Sequence, residues 1–313
     1  MIVVTGAAGF IGSNLVHALN RRGRGDIVVV DDLTDGRKFV NLVDADIADF
    51  VSPTDFLARF AQASNYAEVE LVYHLGACSD TTEWNGRLML EANYEYSKAL
   101  LRACQARDIG LVYASSAAVY GTSPICIETP AHERPLNVYG YSKLLFDRYV
   151  RHRLASARSP IIGLRYFNVY GPREQHKARM ASVIWHFNQQ VKDHERVKLF
   201  GASHGVGPGE QRRDFIHVED AVAVTLWCGE QRHASGIYNC GTGSAVSFND
   251  VANAVLAWHQ RGRLEYIPFP ADLLAAYQSH TCADLANLRA AGFHGEFQAV
   301  QSGIKTYLDW LNR

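Results

Sequence analysis

The chain has 313 residues, 48% of them hydrophobic, which is enough for one large core and a smaller second lobe. Its 31 basic and 32 acidic residues give a formal net charge of −1, and no basic run suggests a nucleic-acid surface. No apolar run approaches the roughly 20 residues that span a bilayer, and the six cysteines form neither a Cys-x-x-Cys pair nor a Cys/His set. We therefore expect a cytoplasmic protein with reduced thiols and no metal, membrane or nucleic-acid partner.

Apolar strands and amphipathic helices alternate through the first half of the chain. The apolar runs predict strands over 2–4, 27–30, 42–46, 69–76, 110–115 and 161–166, and we interpret the first as a buried strand and not as a signal peptide. Long helices are predicted over about 85–106 and 138–155. This β-α-β repetition predicts an α/β fold with a Rossmann-type doubly wound parallel sheet.

The alternation becomes less regular after Gly171-Pro172. The segment 201–209 contains four glycines and one proline, which predicts a loop or lid. No repeat, low-complexity tract or flexible linker separates the two parts, so we expect a second, mixed α/β lobe packed tightly on the first.

A glycine-rich turn, TGAAGFIG (5–12), lies between the first strand and the first helix. Gly6 can make the tight turn, Gly9 lets the backbone approach a pyrophosphate, and Gly12 permits close helix packing. The helix N-terminus offers free N–H groups and partial positive charge to phosphates. Because this context is complete, we predict a dinucleotide site and not a merely structural turn.

Charged residues at the end of the second strand bear on the choice of dinucleotide. Asp31 stands where an acid usually bonds the adenosine ribose hydroxyls, which favours NAD. Arg37 and Lys38 follow in the same loop, and either could pair with the 2′-phosphate of NADP. Lys38 could instead be a solvated loop charge, and Asp32 could be a turn residue. These residues leave NAD and NADP both open.

The segment YGYSK places Tyr139 and Lys143 four residues apart on one helix face. A lysine ammonium favours the phenolate, and a bound nicotinamidium would add to this effect, so a tyrosine normally near pKa 10 could act as a base closer to neutral pH. Ser116, at the end of the fifth strand, is placed to hydrogen-bond the reacting oxygen, whereas Ser115 fits a structural role. The alternative for the pair alone is a surface helix contact.

Five motifs recur in order along the chain: TGxxGFIG (5–12), LGA (75–77), SSAAVYG (115–121), YGYSK (139–143) and RYFNVYGPR (165–173). Together they resemble the extended short-chain dehydrogenase/reductase superfamily. Its 4,6-dehydratase branch carries an Asp-Glu pair where this chain has Ala117 and Ala118. Methyl side chains cannot move a proton, so elimination of water is disfavoured.

Further motifs narrow the resemblance. They are KFVNLVD (38–44), ACSDTTEW (77–84), PLNVYGYSK (135–143), FNVYGPREQHKARMASV (167–183), RRDF (212–215) and a C-terminal pattern that begins IPFPADL (267–273). Over nearly the full length they are similar to the ADP-glycero-manno-heptose 6-epimerase family. The resemblance implies an isomerase that converts ADP-D-glycero-manno-heptose to the L-glycero epimer by transient oxidation with tightly bound NADP. It implies a role in making lipopolysaccharide inner-core precursors.

The same resemblance implies a domain division and an assembly. It gives an NADP-binding Rossmann domain over 1–168, with return elements near 214–242, and a mainly substrate-binding lobe over 169–313. It also implies a homo-oligomer, with a pentamer as one form.

Two acid/base residues suit inversion at C6. The hydride leaves one face of C6 and returns to the other face of an aldehyde, so the oxygen meets a different proton donor each time. By the resemblance these residues are Tyr139 and Lys177, with Lys143 supporting the cofactor and the tyrosine and with Ser116 completing the catalytic set. The alternative for Lys177 is a charged residue in a polar loop.

The resemblance also assigns binding residues. The cofactor set is Gly6, Gly9, Phe10, Ile11, Gly12, Asp31, Asp32, Lys38, Leu75, Gly76, Ala77, Cys78, Ser79, Asn93, Lys143, Val169 and Lys177, with Leu75 and Cys78 acting through backbone or packing. The substrate set is Ser116, Asn168, Arg179, His186, Phe200, Gly201, Ala202, Ser203, Arg213 and Tyr277. The family usually uses NADP, which favours a phosphate contact for Lys38. Arg213 suits a diphosphate because its planar fork donates two bonds, and its alternative is a structural pair with Asp214 or Glu219.

Two departures from the family and two rival functions bear on these assignments. Arg179 stands where a small polar residue often sits, and the insert 204–211 lengthens a substrate loop. Another nucleotide-sugar epimerase or reductase, such as a UDP-hexose 4-epimerase, would not need Lys177 because its whole sugar ring rotates. A non-catalytic dinucleotide sensor predicts a degraded triad, but Ser116, Tyr139 and Lys143 are all present.

Overall fold

The computed structural model describes residues 1–62, 66–203, 205–231, 235–270 and 277–313. His204, in the predicted loop 201–209, and residues 271–273 of the C-terminal motif lie outside the described residues. No helix in the described ranges is both long and apolar enough to cross a membrane. The same ranges contain no group of three or more His, Cys, Asp or Glu side chains that could hold a metal ion.

The strands are β1 (Ile2–Thr5), β2 (Ile27–Val30), β3 (Asp49–Val51), β4 (Leu71–His74), β5 (Gly110–Ser116), β6 (Ile161–Tyr166), β7 (Asn168–Tyr170), β8 (Arg196–Phe200), β9 (Arg212–His217), β10 (Gly236–Cys240), β11 (Ala245–Ser247) and β12 (Arg263–Ile267). The α-helices are α1 (Phe10–Arg21), α2 (Pro53–Phe60), α3 (Gly86–Leu90), α4 (Tyr96–Ala106), α5 (Val138–Arg151), α6 (Val183–His194), α7 (Val218–Glu230), α8 (Phe248–His259), α9 (Ala286–Ala290) and α10 (Val300–Leu311).

The main sheet has seven strands in the order β10-β6-β5-β4-β1-β2-β3, and every neighbouring pair is parallel. Successive strand residues point to opposite faces, so Val4 and Val29 enter a core with α1 and α7, while Val3 and Val28 enter a second core with α2, α4 and α5. The predicted doubly wound α/β fold is confirmed. Strand order reverses between β1 and β4, and ligands of such sheets bind beyond the carboxyl ends of the strands at this point.

The second part of the chain contributes a smaller set of elements. Strands β8 and β12 form one sheet and β11-β9-β7 form another. Helices α6, α8 and α10 enclose a third core with them. Strand β10 and helix α7 join the main sheet and its core instead. The domain limits given above stay a prediction.

The predicted strand over 42–46 is wrong. Its backbone bonds are local: the Leu42 N–H donates to the Phe39 carbonyl at 2.9 Å, and the Ala45 N–H donates to the Leu42 carbonyl at 3.0 Å. The third strand is β3, a few residues later. The long helix predicted over 85–106 consists of α3, a π-helical turn over Glu91–Glu95 and α4, which follow one another without a break.

Candidate active site

A cleft of about 930 Å³ lies at the carboxyl ends of the main-sheet strands. Loops after β7 and residues of β9 and α8 line it from the other side. Most of the predicted cofactor and catalytic residues line this cleft. They are Gly6, Gly9, Phe10, Ile11, Gly12, Asp31, Asp32, Lys38, Leu75, Gly76, Ala77, Ser79, Ser116, Tyr139, Lys143, Val169 and Lys177.

The glycine turn at the base of the cleft has no room for side chains. Gly6 has φ +67°, and a Cβ there would lie 2.6 Å from the Gly76 nitrogen. A Cβ on Gly12 would lie 2.1 Å from the Gly6 carbonyl oxygen. Helix α1 begins just after Gly9 with no side-chain cap and no acid in its first turn. Its N–H groups and positive dipole end therefore face the cleft unneutralised, which fits a dinucleotide pyrophosphate.

At the adenosine end of the cleft, the Asp31 carboxylate already has three donors, two backbone N–H groups and one ammonium group. Its carboxylate accepts the Ala8 N–H at 2.7 Å and the Asp32 N–H at 2.6 Å. The Lys38 ammonium pairs with it at 2.7 Å, so Lys38 is not a solvated charge. Asp32 accepts the Thr34 N–H at 2.6 Å and does form the suggested turn.

Asn93 and Cys78 support the loop that follows β4 but do not line the cleft. The Cys78 N–H donates to Asn93 Oδ1 at 2.8 Å, and Asn93 Nδ2 donates back to the Cys78 carbonyl at 2.9 Å. Asn93 Nδ2 also donates to Ser142 Oγ at 3.0 Å. These bonds fix the loop 75–79 against α5.

The catalytic pair stands at the start of α5. The Asn137 side chain caps this helix by accepting the Gly140 N–H at 2.8 Å, which fixes the first turn. Tyr139 and Ser116 share a side-chain hydrogen bond. Lys143, buried one turn further on, donates to the Ala114 carbonyl at 2.9 Å. The three residues of the predicted triad therefore meet in one place.

Burial dominates the proton affinities of this pair. It raises the pKa of Tyr139 above 10, and the hydrogen bond from Ser116 only partly offsets this. Burial also lowers the pKa of Lys143 to about 8, although the Asp147 carboxylate acts in the opposite direction. The predicted lowering of the Tyr139 pKa by Lys143 is therefore not seen with the protein's own groups alone. Tyr139 therefore holds its proton firmly unless further positive charge enters the cleft.

An ionic cluster that the sequence reasoning missed lies beneath the pair. Asp147 is wholly buried and accepts hydrogen bonds from Tyr113 Oη at 2.9 Å, Ser115 Oγ at 3.0 Å and Arg165 Nε at 2.9 Å. Arg165, also wholly buried, bonds Glu133 as well. Ser115 has the structural role expected of it. The sequence signal that could have indicated Asp147 was its spacing, because it follows Lys143 by one helical turn.

Lys177 enters the cleft from a 3₁₀ turn over Gln175–Met180. Its ammonium lies 5.4 Å from the centre of the Phe10 ring. Burial lowers the pKa of Lys177, and the Glu174 carboxylate partly restores it. The following residue, Ala178, has φ +47°, a backbone conformation that strains a residue with a Cβ. The lysine is thus a partly desolvated ammonium group and not a charge in a solvated loop.

The predicted substrate residues separate into three groups. Ser116 and Asn168 line the cleft. Arg213 lies 4.8 Å from the centre of the Tyr277 ring, and Tyr277 and Phe200 both pack on Phe269, at 5.0 and 5.1 Å. The loop residues Gly201, Ala202 and Ser203 follow β8 beside this cluster. Arg179 instead pairs with Asp80 at 2.5 Å, and His186 Nε2 lies 3.3 Å from the Arg179 carbonyl.

The alternative role suggested for Arg213 is wrong. The Asp214 carboxylate accepts the N–H groups of Thr242, Gly243 and Ala283 at 2.8 to 3.0 Å. Across the described part of the chain, no acidic side chain pairs with Arg213, whose Nη1 donates to the Arg212 carbonyl at 2.9 Å. The guanidinium is held by stacking on Tyr277.

Residues 2–241 match the family model described as the NAD dependent epimerase/dehydratase family. The chain belongs to this family. It is 56% identical over 309 residues to a protein of Alkalilimnicola ehrlichii named ADP-L-glycero-D-manno-heptose-6-epimerase, covering 99% of this chain and 97% of the relative. The family indicated by the sequence motifs is therefore confirmed.

Solved structures of epimerases share the fold. The Helicobacter pylori ADP-L-glycero-D-manno-heptose-6-epimerase superposes with a TM-score of 0.86 at 31% identity, covering 99% of this chain and 95% of that one. The Thermus thermophilus UDP-glucose 4-epimerase, solved with NAD, gives 0.80 at 27% identity, covering 98% and 97%. In this epimerase/dehydratase family the cofactor is a nicotinamide dinucleotide, which the uncapped α1 and the glycine turn fit.

Proposed function

We propose that this chain epimerises ADP-D-glycero-manno-heptose at C6 to the L-glycero form. The observation that carries the proposal is that Tyr139 and Lys177, which belong to different elements, line a single cleft. The relative at 56% identity, whose name states this activity, supports the substrate assignment. Ala117 and Ala118 also line the cleft and offer no acid or base for eliminating water.

Two proton-carrying side chains suit this reaction. A bound nicotinamide supplies the acceptor and donor of the C6 hydride. Tyr139, hydrogen-bonded to Ser116 and favoured as the phenolate by the positive charge of an oxidised nicotinamide, takes the C6 hydroxyl proton as the alcohol becomes an aldehyde. After the carbonyl turns, Lys177 gives a proton to its oxygen as the hydride returns to the opposite face. One proton and one hydride leave the sugar and one of each return, so the reaction is redox-neutral. Tyr139 then loses a proton to solvent and Lys177 takes one up, which restores both groups for the next turnover.

The substrate assignment is tested by incubating the protein with ADP-D-glycero-manno-heptose and following the C6 configuration by NMR. We expect an equilibrium mixture of the two epimers. Conversion of UDP-galactose without conversion of the heptose would overturn the assignment in favour of a 4-epimerase.

The role of Lys177 has its own test. Replacing Lys177 by Met keeps an unbranched side chain but removes the ammonium group that gives the proton. We expect turnover to fall on the order of 10²-fold or more. Lys192→Met, on the exposed side of α6, is the matched control and keeps wild-type turnover. Wild-type turnover in Lys177→Met would remove this lysine from the mechanism.

We infer that the preferred dinucleotide is NADP. The Asp31 carboxylate is already neutralised by Lys38 and two backbone N–H groups, so it repels a 2′-phosphate less than a free carboxylate would. Mass spectrometry of the supernatant of denatured protein would identify the dinucleotide that co-purifies. NAD as the only dinucleotide found would overturn the inference.

The homo-oligomer, the cytoplasmic location and the remaining binding roles stay predictions. Light scattering on the purified protein would give the mass of the assembly, and a monomeric mass would contradict the first of them.

A further inference from the structure

Asn41 has no role in the function proposed above, although it lies in the KFVNLVD segment. It is the last residue of a 3₁₀ helix over Gly36–Asn41, and only 4% of its surface is exposed. Its own carbonyl accepts His17 Nε2 at 2.9 Å, which ties it to α1. This bond to the main-chain carbonyl anchors the backbone from which the buried side-chain amide of Asn41 projects.

The side-chain amide of Asn41 reaches two different parts of the cleft. Its Nδ2 donates to the Ala8 carbonyl of the glycine turn at 2.9 Å. The same nitrogen lies 3.3 Å from the Arg173 carbonyl and 3.1 Å from His176 Nδ1. One amide thus joins the phosphate-binding turn to the segment that carries Lys177.

The contact with His176 orients the residue next to Lys177. The His176 ring contacts Asn41 Nδ2 through Nδ1 and is also hydrogen-bonded to the Arg173 carbonyl, so the same two groups hold the ring in place. Burial lowers the pKa of His176, and the charges of Lys177 and Lys38 lower it further, whereas the hydrogen bond to the Arg173 carbonyl and the Asp31 carboxylate act in the opposite direction. His176 lines the cleft and is held at its inner nitrogen.

The 3₁₀ helix connects Asn41 with the adenosine end of the cleft. Side chains three residues apart on a 3₁₀ helix lie on the same side, and Lys38 precedes Asn41 by three. Lys38 pairs with Asp31 at the end of β2, whereas Asn41 holds the segment before Lys177. A shift of this helix on cofactor binding would therefore reach both residues.

We propose that Asn41 is a positioning residue that couples occupancy of the cofactor site to the placement of Lys177. The inference rests on the proposed function, because it requires both the dinucleotide and a proton-carrying Lys177. Asn41 touches neither reacting group and acts through the backbone of Arg173 and the ring of His176.

Hydrogen–deuterium exchange tests the coupling without using activity. In the wild-type protein freed of cofactor, adding NADP should slow exchange in peptides covering 6–12 and 171–182. In Asn41→Ala, NADP should still slow exchange in 6–12 but no longer in 171–182. Undiminished protection of 171–182 in Asn41→Ala overturns the proposal. Asn41→Leu, which keeps the volume and lacks the donors, repeats the measurement if the alanine variant fails to fold.

Asn20→Ala is the matched control. Asn20 Nδ2 donates to the Arg24 and Asp46 carbonyls at 2.7 and 2.8 Å. It therefore ties the segment after the 3₁₀ helix to α1, as Asn41 does, but makes no hydrogen bond to 171–182. In Asn20→Ala, NADP should protect 171–182 as in the wild-type protein. Loss of that protection in the control would show a general loosening of the fold and overturn the proposal.

Turnover provides the second readout. We expect kcat of Asn41→Ala to fall 10- to 100-fold, on the order of what a small misplacement of a catalytic group costs, with KM for the heptose changed less than about twofold. An unchanged kcat contradicts the proposal. If the wild-type protein does not convert the heptose, the proposed substrate fails while the exchange measurement still decides the coupling. If neither NADP nor NAD protects 6–12, the cofactor assignment fails and the coupling with it.

Discussion

In the proposed mechanism, the first proton transfer depends on the hydroxyl of Tyr139. Tyr139→Phe keeps the ring and its packing but removes that hydroxyl, so we expect turnover to fall on the order of 10²-fold or more while the dinucleotide still co-purifies. Steady-state kinetics and the ratio of absorbance at 260 and 280 nm measure the two effects. Tyr141→Phe, two residues along α5 and 44% exposed, is the matched control. Loss of the dinucleotide in Tyr139→Phe would show a binding role instead.

We expect the titration of Lys143 to set an alkaline limit for the reaction. Burial lowers its pKa from 10.5 to about 8, so the folded protein loses this ammonium as pH rises through about 8, while the unfolded chain keeps it to higher pH. If the ammonium supports Tyr139, kcat should fall above that pH. The negative charge of Asp147 keeps the lysine pKa from falling further, and Cys78 faces the lysine from the loop after β4. Asp147→Asn should therefore shift the alkaline fall in kcat to lower pH. An unchanged pH–rate profile would show that Asp147 does not control the titration of Lys143.

Helix α5 combines a catalytic face with a buried ionic anchor. Asp147 accepts three hydrogen bonds, one of them from the wholly buried Arg165. Removing one partner leaves a buried charge poorly compensated, which typically costs about 3–5 kcal/mol. We expect Asp147→Asn to lower the free energy of unfolding by an amount near the lower end of that range, as measured by urea denaturation. Asp108→Asn, whose carboxylate is 55% exposed and pairs with Arg158, should leave the midpoint unchanged. Equal midpoints for the two variants would contradict an anchoring role for Asp147.

The elements that the sequence predicts well are those whose burial leaves a local pattern. Strand β2 is apolar throughout because helices cover both its faces, and Tyr139 and Lys143 are paired by helical spacing alone. Strand β3 leaves no such pattern because it is an edge strand with an exposed Phe50. The apolar pair Leu42 and Val43 imitates a strand, although Val43 is 73% exposed.

Contacts between distant segments are not visible in such patterns. Asn41 meets His176 across 135 positions, and Arg179 meets Asp80 across 99. Nothing in either local sequence indicates the partner, because the pairing is decided by how loops converge at the carboxyl edge of the sheet. Most of the cofactor and catalytic residues assigned by motif resemblance line the cleft, whereas most of the assigned substrate residues do not. The hydrogen bonds that orient all of them required coordinates.

At the scale of the whole molecule, residues from both parts of the chain line the cleft, so a dinucleotide bound there should stabilise the folded protein. A ligand at 100 times its Kd adds about 2.7 kcal/mol, which corresponds to a thermal midpoint roughly 5 °C higher in a protein of this size. At equal concentrations NADP should raise the midpoint of cofactor-free protein more than NAD, because Lys38 reduces the repulsion between the Asp31 carboxylate and a 2′-phosphate. Lys38→Ala should abolish that difference. Arg37→Ala should keep it, since Arg37 is 75% exposed and pairs with Asp35. Equal shifts by the two dinucleotides in the wild-type protein would make Lys38 a structural partner of Asp31 alone.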